Sequence, residues 1–322
     1  MKFRAWLALV AGILPATLIA ILVFLALYSW PAMHFNGWGF VFRDVWNLGN
    51  LYADPIMRHG VQVQPGATYG ILFLVVGTLL STLIALAIAL PMGVGAAIFL
   101  AEAVPAQLRP WISFFVELLM AIPSVVFGLW GYVVVIPFLG QHFYPLLGRT
   151  VGKFIPFFAT PTGSGYGLLT AGIVLSLMIV PIIAATLRDA LVSQPASLRE
   201  AALGLGATRF EALWKVMLPG TRKTLIGATF LALGRALGET MAVLMVSGNA
   251  LNYLPHRIYD PVSTMAAFIV SQLDSALQDP SGLAVRSLAE IAFVLAIISI
   301  LVNALARVLL MVWNNSQRSV MV

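Results

Sequence analysis

Residues 197–219 read SLREAALGLGATRFEALWKVMLP and sit in a polar island, Arg188 to Lys223, between two long apolar segments. Ser197-Leu198-Arg199-Glu200 has the form of a capping box. In such a box the serine hydroxyl and the glutamate carboxylate each satisfy a backbone N–H left free at a helix start. Gly204 and Gly206 then offer a helix stop. Thr208-Arg209-Phe210-Glu211 repeats the box, and Pro219-Gly220 repeats the stop. The stretch is therefore expected to fold as two short helices joined by a glycine corner. A connection that merely returned the chain to a membrane would need neither cap, so this element suits docking of a partner. The plainer alternative is an ordinary helical hairpin.

The membrane context comes from composition. Of 322 residues, 61% are hydrophobic and 9% charged, against about 25% charged in soluble chains. The apolar residues fall in runs long enough to cross a bilayer. Six segments emerge, at about 5–30, 70–101, 110–139, 166–188, 223–250 and 287–313. The first is longer than the roughly 7–15 residues of a cleavable signal core and ends in Tyr28 and Trp30, so it is read as a retained span. Pro91, Pro123, Pro137 and Pro181 interrupt spans and are expected to kink them.

Other classes of function find little support. There is no cysteine, which excludes disulfides and thiol-ligated metals. His34, His59, His142 and His256 are scattered through loops without ligand spacing, so no metal site is expected. The motifs H-E-x-x-H, G-x-S-x-G and G-x-x-x-x-G-K-[ST] are absent. No catalytic residue is therefore assigned, and ATP hydrolysis is not expected of this chain. The net charge of +6 reflects Lys and Arg gathered in one set of loops, and no feature indicates nucleic-acid binding. That bias places both termini and 189–222 in the cytosol, with 31–69, 140–165 and 251–286 outside. Residues 159–165 in particular show little helical tendency.

Ionisable groups inside a span are costly, about 2.5–3.5 kcal/mol for a central arginine on insertion scales. Arg235 lies about twelve residues into the fifth segment, roughly 18 Å deep. In a continuous helix Glu239, four residues on, shares its face, so the two are expected to meet. Gly234 and Gly238 form a small-residue stripe suited to close helix packing. Two readings stand: a structural salt bridge, or an anion-handling station on a transport path. Glu117, Glu290 and Arg307 are expected at interfaces.

Glu200, Ala201, Ala202, Gly206, Leu218 and Pro219 resemble the EAA motif, the coupling loop of ABC importer permeases. Val216 stands where that family usually has isoleucine. GRALGETMA at 234–242 resembles the fifth-span signature of phosphate importer permeases of the PstC and PstA type. AIPSVVFGLWG at 121–131, LPMGVG at 90–95 and FLAE at 99–102 are similar to the same family. The long first outer loop and the Arg–Glu pair favour the PstC type.

The resemblance implies an all-α membrane protein with six transmembrane helices, the type I ABC importer permease fold and cytosolic coupling helices. Residues 1–69 would hold the first helix and an extracytoplasmic loop. Residues 70–313 would form the permease domain, with its coupling loop at 189–222, and 314–322 a cytosolic tail. The implied function is ATP-driven import of inorganic phosphate by alternating access in a bacterial inner membrane. The implied partners are a second homologous permease, two ATPase subunits and an extracytoplasmic phosphate-binding protein. No cofactor is implied for this chain, with ATP and Mg on the ATPase. Arg235, Glu239 and Thr240 would line the substrate pathway. Arg235 is permanently charged and offers paired donors to an oxyanion. Glu239 would either hold Arg235 or accept a hydrogen bond from protonated phosphate. The alternatives are a permease for another oxyanion, such as sulfate or molybdate, and a passive anion channel. A pore would not need the capped loop.

Overall fold

The computed structural model describes residues 2–105, 107–159 and 164–318. Four expected segments are continuous helices: α1 (Lys2–Asn36), α2 (Leu72–Ile98), α5 (Leu168–Val192) and α11 (Leu283–Arg318). Long apolar runs without internal stops favour this, since a helix satisfies its own backbone in lipid. Pro15, Pro31, Pro91 and Pro181 are all carried inside these helices.

The main core forms where α2 and α5 pack together. Small residues let them approach: a Cβ on Gly172 would lie 2.4 Å from Ile84 Cγ2, and one on Gly93 2.8 Å from Ile183 Cβ. Ala85, Ala89, Val174 and Ile183 fill the seam and are fully buried.

The third and fifth segments are not single helices. α3 (Arg109–Ala121) ends at the extended pair Ile122 and Pro123, ψ 128° and 139°, and α4 (Ser124–Trp130) starts afresh. A proline disfavours the helical region for the residue before it. Helical turns then run on to Lys153, with π-turns at Gly131–Val135 and Leu139–Phe143 on either side of Pro137. The span is thus shifted to Ser124–Lys153. Residues 140–153, expected as loop, are helical. Of the loop expected at 159–165, residues 160–163 lie outside the described ones. In the fifth segment, α8 (Arg222–Leu237) stops at Gly238 and α9 (Met241–Val246) follows. Among the described residues, five helices are long and apolar enough to cross a membrane, and this broken segment is not one of them. The two broken segments meet, because α9 packs on α4. A Cβ on Gly128 would lie 3.0 Å from Ala242 Cα.

Loops 31–69 and 251–286 fold over one end of the helices. A hairpin, β1 (Ile56–Arg58) and β2 (Val61–Val63), pairs Ile56 with Val63. Trp46 stacks edge-on with Tyr69 and Phe268, and Phe73 with Phe268. Asn252 clips the two loops: its Oδ1 accepts from Trp46 N at 2.5 Å and its Nδ2 donates to Trp46 O at 3.1 Å. Within 251–286 lies a helix, α10 (Met265–Leu277). Glu290 is a correction: it is buried, 4% exposed, and accepts from Asn36 Nδ2 at 2.8 Å. α1 and α11 enclose that pair. Arg307 is exposed.

Candidate functional site

Two elements carry the residues singled out in the sequence. The first is the helical hairpin of α6 (Ala196–Gly204) and α7 (Arg209–Ala212). The Thr208 box is formed: Thr208 N–H donates to Glu211 Oε2 at 3.0 Å and Glu211 N–H to Thr208 Oγ1 at 3.2 Å. Lys215 Nζ adds a bond to Glu211 Oε1 at 3.0 Å. The Thr208 backbone bond, with Lys215 beside it, holds the Glu211 carboxyl at about 2, well below the ordinary carboxylate range.

The expected Ser197–Glu200 box is not formed. Pro195 is the N-cap, with no side-chain bond, and Ser197 is already inside the helix. Proline fixes its φ and fits a helix start, so the helix begins before the serine could cap it. Glu200 is consequently exposed, without a hydrogen-bond or ion-pair partner among the described residues. The corner behaves as expected. Gly206 has φ +86°. Its N–H reaches Leu203 O at 2.9 Å and Ala207 N–H reaches Ala202 O at 3.1 Å, a Schellman closure. The stop expected at Pro219-Gly220 comes at Thr221 instead. The chain widens into a π-turn at Leu213–Met217 and runs through Leu218–Gly220. A wider turn keeps Pro219 clear of the carbonyl four residues back, where a proline ring clashes in an α-helix.

Ala202 is buried, while Ala201 and Gly206 are exposed. Leu198, Leu205, Phe210 and Trp214 expose apolar surface alongside them. The hairpin is anchored by an ion pair from Arg199 to Glu102 and by Gln194 Nε2 donating to Met217 O at 2.8 Å.

The second element is an open cleft of about 870 Å³ between α3, α5, α8 and α11, lined by Glu117, Met120, Ile182, Thr186, Asp189, Phe230, Gly234, Arg235 and Asn303 among others. Arg235 is exposed to it and makes no hydrogen bond or ion pair with any described residue. The expected Arg235–Glu239 pair is absent. α8 ends at Leu237, so Glu239 leaves the face that carries Arg235. Glu239 Oε1 instead accepts from Thr240 N at 3.2 Å and Ala242 N at 3.3 Å, opening α9. Thr240 Oγ1 donates to Gly238 O at 3.3 Å. The glycine stripe meets no other helix closely within this chain: a Cβ on Gly234 would find Asn303 Nδ2 at 3.8 Å, and one on Gly238 only its own helix.

The family described as "Binding-protein-dependent transport system inner membrane component" matches residues 93–316. The chain belongs to that family. The permease is 42% identical to "Phosphate transport system permease protein PstC 1" of Mycobacterium tuberculosis, over 94% of this chain and 90% of that one. It is 38% identical to the PstC permease protein of Pasteurella multocida, over 91% of this chain and 86% of that one. It also resembles a solved chain of the MetNI methionine ABC transporter in inward-facing conformations. There the TM-score is 0.52 at 19% identity, over 75% of this chain and 97% of that one. The fold is therefore that of a type I ABC importer permease, and the permease is a transport component, not an enzyme.

The reading of the sequence does not point to Arg188, a buried charge bonded to two carboxylates. Arg188 is 7% exposed. Its Nη2 lies 2.9 Å from Glu117 Oε1 and 2.6 Å from Asp189 Oδ1. Sequence places Arg188 only at the edge of the polar island and Glu117 at an interface. The signal was present: Arg188 falls four residues after Ala184 and adjoins Leu187, both fully buried on α5, so it continues a helical buried stripe. Among the described residues no group of His, Asp and Glu could hold a metal ion.

Proposed function

We propose that this chain is a permease subunit of an ATP-driven importer of inorganic phosphate, working by alternating access in a bacterial inner membrane. The observation that carries the reading is Arg235, a guanidinium unpaired among the described residues and facing an open cleft between helices. A cation exposed in such a cleft is poised for an anion, and paired N–H donors match an oxyanion. The PstC relatives supply the choice of phosphate. Glu239 and Thr240 mark the broken backbone beside the same path, and Glu239 would accept a hydrogen bond from protonated phosphate.

In this reading the 196–220 hairpin docks on an ATPase that carries ATP and Mg, while this chain binds neither. Glu200, Ala201, Ala202, Gly206, Leu218 and Pro219 lie on or beneath the docking surface. Exposed Leu205 and Phe210, at 91% and 69%, suit a partner's cleft. A second homologous permease, a second ATPase and an external phosphate-binding protein complete the assembly. In this reading the hairpin and both termini face the cytosol, and the loop cations around the hairpin support that orientation.

The test is uptake of labelled phosphate by the reconstituted complex with Arg235→Gln. Loss of a charged hydrogen bond of about 1.5–3 kcal/mol predicts a fall of roughly ten- to a hundredfold. Arg235 has no buried partner to orphan, so the variant should still co-purify with its ATPase. Normal uptake by the assembled variant would remove Arg235 from the path.

A further inference from the structure

The cleft has a polarity along its length. Arg235 lies thirteen residues above the start of α8 at Arg222, roughly 20 Å along the helix. Asp189 is only three residues from the end of α5 at Val192, about 4.5 Å. Both of those helix ends adjoin the 196–220 hairpin. The cleft therefore leads from the cation out past Asp189 and Glu117, whose side chains are 68% and 50% exposed. Arg188 sits behind them, buried, and bonds both. Two carboxylates against one guanidinium leave this group of three with one net negative charge.

We propose that the Glu117–Arg188–Asp189 group is an exit-side rim that hinders phosphate from returning to Arg235 from the hairpin side. An anion entering the mouth meets two outward carboxylates before it meets the cation. An anion released from above moves past them once, into a compartment that dilutes it. Arg188 is a positioning residue here. It holds a carboxylate from α3 and one from α5 at the same opening and cancels part of their charge. The open mouth keeps the field partly screened, so the rim biases return without sealing the path. This inference rests on the phosphate reading.

The experiment uses vesicles holding the whole transporter, with ATP and the ATPase face in the lumen and loaded binding protein outside. Initial uptake of labelled phosphate is measured against increasing unlabelled phosphate in the lumen. Glu117→Gln removes one rim charge and should lower the luminal concentration that halves uptake by roughly three- to tenfold. Arg188→Leu removes the guanidinium that bonds both carboxylates and should raise it. A folding defect reduces the amount of working complex but does not move the two values in opposite directions. If Arg188→Leu fails to assemble, Asp189→Asn provides the second arm and should shift inhibition in the same direction as Glu117→Gln. Unchanged inhibition in Glu117→Gln, or a shift in the same direction for Glu117→Gln and Arg188→Leu, overturns the rim. Failure of the wild-type complex to import phosphate at all overturns the phosphate reading itself, and is seen before any variant is compared.

Discussion

Replacing Gly206 separates backbone geometry from shape at the hairpin corner. Gly206 has φ +86°, and a Cβ built there meets nothing within 4 Å. Within the chain, therefore, a side chain costs only the left-handed backbone, about 1–2 kcal/mol for alanine. That lowers the population of the closed corner by roughly five- to thirtyfold. Asparagine tolerates this region better, and valine worse. The measurement is phosphate imported per ATP hydrolysed by the reconstituted complex, with amide exchange across 205–208 to follow the corner itself. Coupling should fall in the order Gly, Asn, Ala, Val, and exchange should rise in the same order. If asparagine couples worse than alanine, size against a partner decides and the backbone argument is wrong. If alanine couples as well as glycine, the Schellman closure is dispensable.

Three further outcomes follow from the same elements. Glu200 serves no backbone group, so Glu200→Gln should leave thermal stability unchanged and lower ATP-coupled transport; unchanged coupling would deny it a charged contact. The Glu211 carboxyl is held below its unfolded value, at about 2. Its contribution to the helix start is therefore complete at neutral pH and is lost as pH falls from the ordinary carboxylate range toward that value. Exchange at 209–212, corrected for intrinsic rate, should rise over that window, and Thr208→Ala, which costs about 1 kcal/mol, should raise it already at neutral pH. Because the chain has no cysteine, Ser193→Cys is a clean topological probe. An impermeant thiol reagent should reach it only from the cytosolic face, and labelling from outside intact cells would invert the proposed orientation.

What the residues revealed in advance was what their immediate neighbours decide. Thr208 and Glu211 are three apart and needed no distant partner. Gly206 followed from the end of a short helix. The long apolar runs became α1, α2, α5 and α11 for the same reason. Failures came where one residue changed the frame of the next. Pro195 started its helix early and left Ser197 inside it. Pro123 divided the third segment. Gly238 ended α8, and with that the four-residue spacing of Arg235 and Glu239 no longer placed them on one face. Buried polar contacts were the least legible. Arg188 finds Glu117 71 positions away, and Glu290 finds Asn36 254 positions away, distances no local pattern encodes. The cleft is made in the same way, from four helices whose order of packing only the folded chain discloses.

The break at 238–240 carries a consequence for what surrounds the protein. α8 has 16 residues, so it rises about 24 Å, short of a hydrocarbon layer about 30 Å thick. The remainder is bridged by the irregular backbone of 238–240 and by α9, and at the break Glu239 spends its own carboxylate on two N–H groups. Hydrocarbon offers such backbone nothing in exchange for lost hydration, and unwound peptide is not tolerated against acyl chains. Gly238 is nevertheless open at the surface of this single chain. In the bilayer that patch must therefore be wetted or covered by another polypeptide. The acyl chains are kept away from the point where α8 breaks off and side chains stand in for its ladder of backbone bonds.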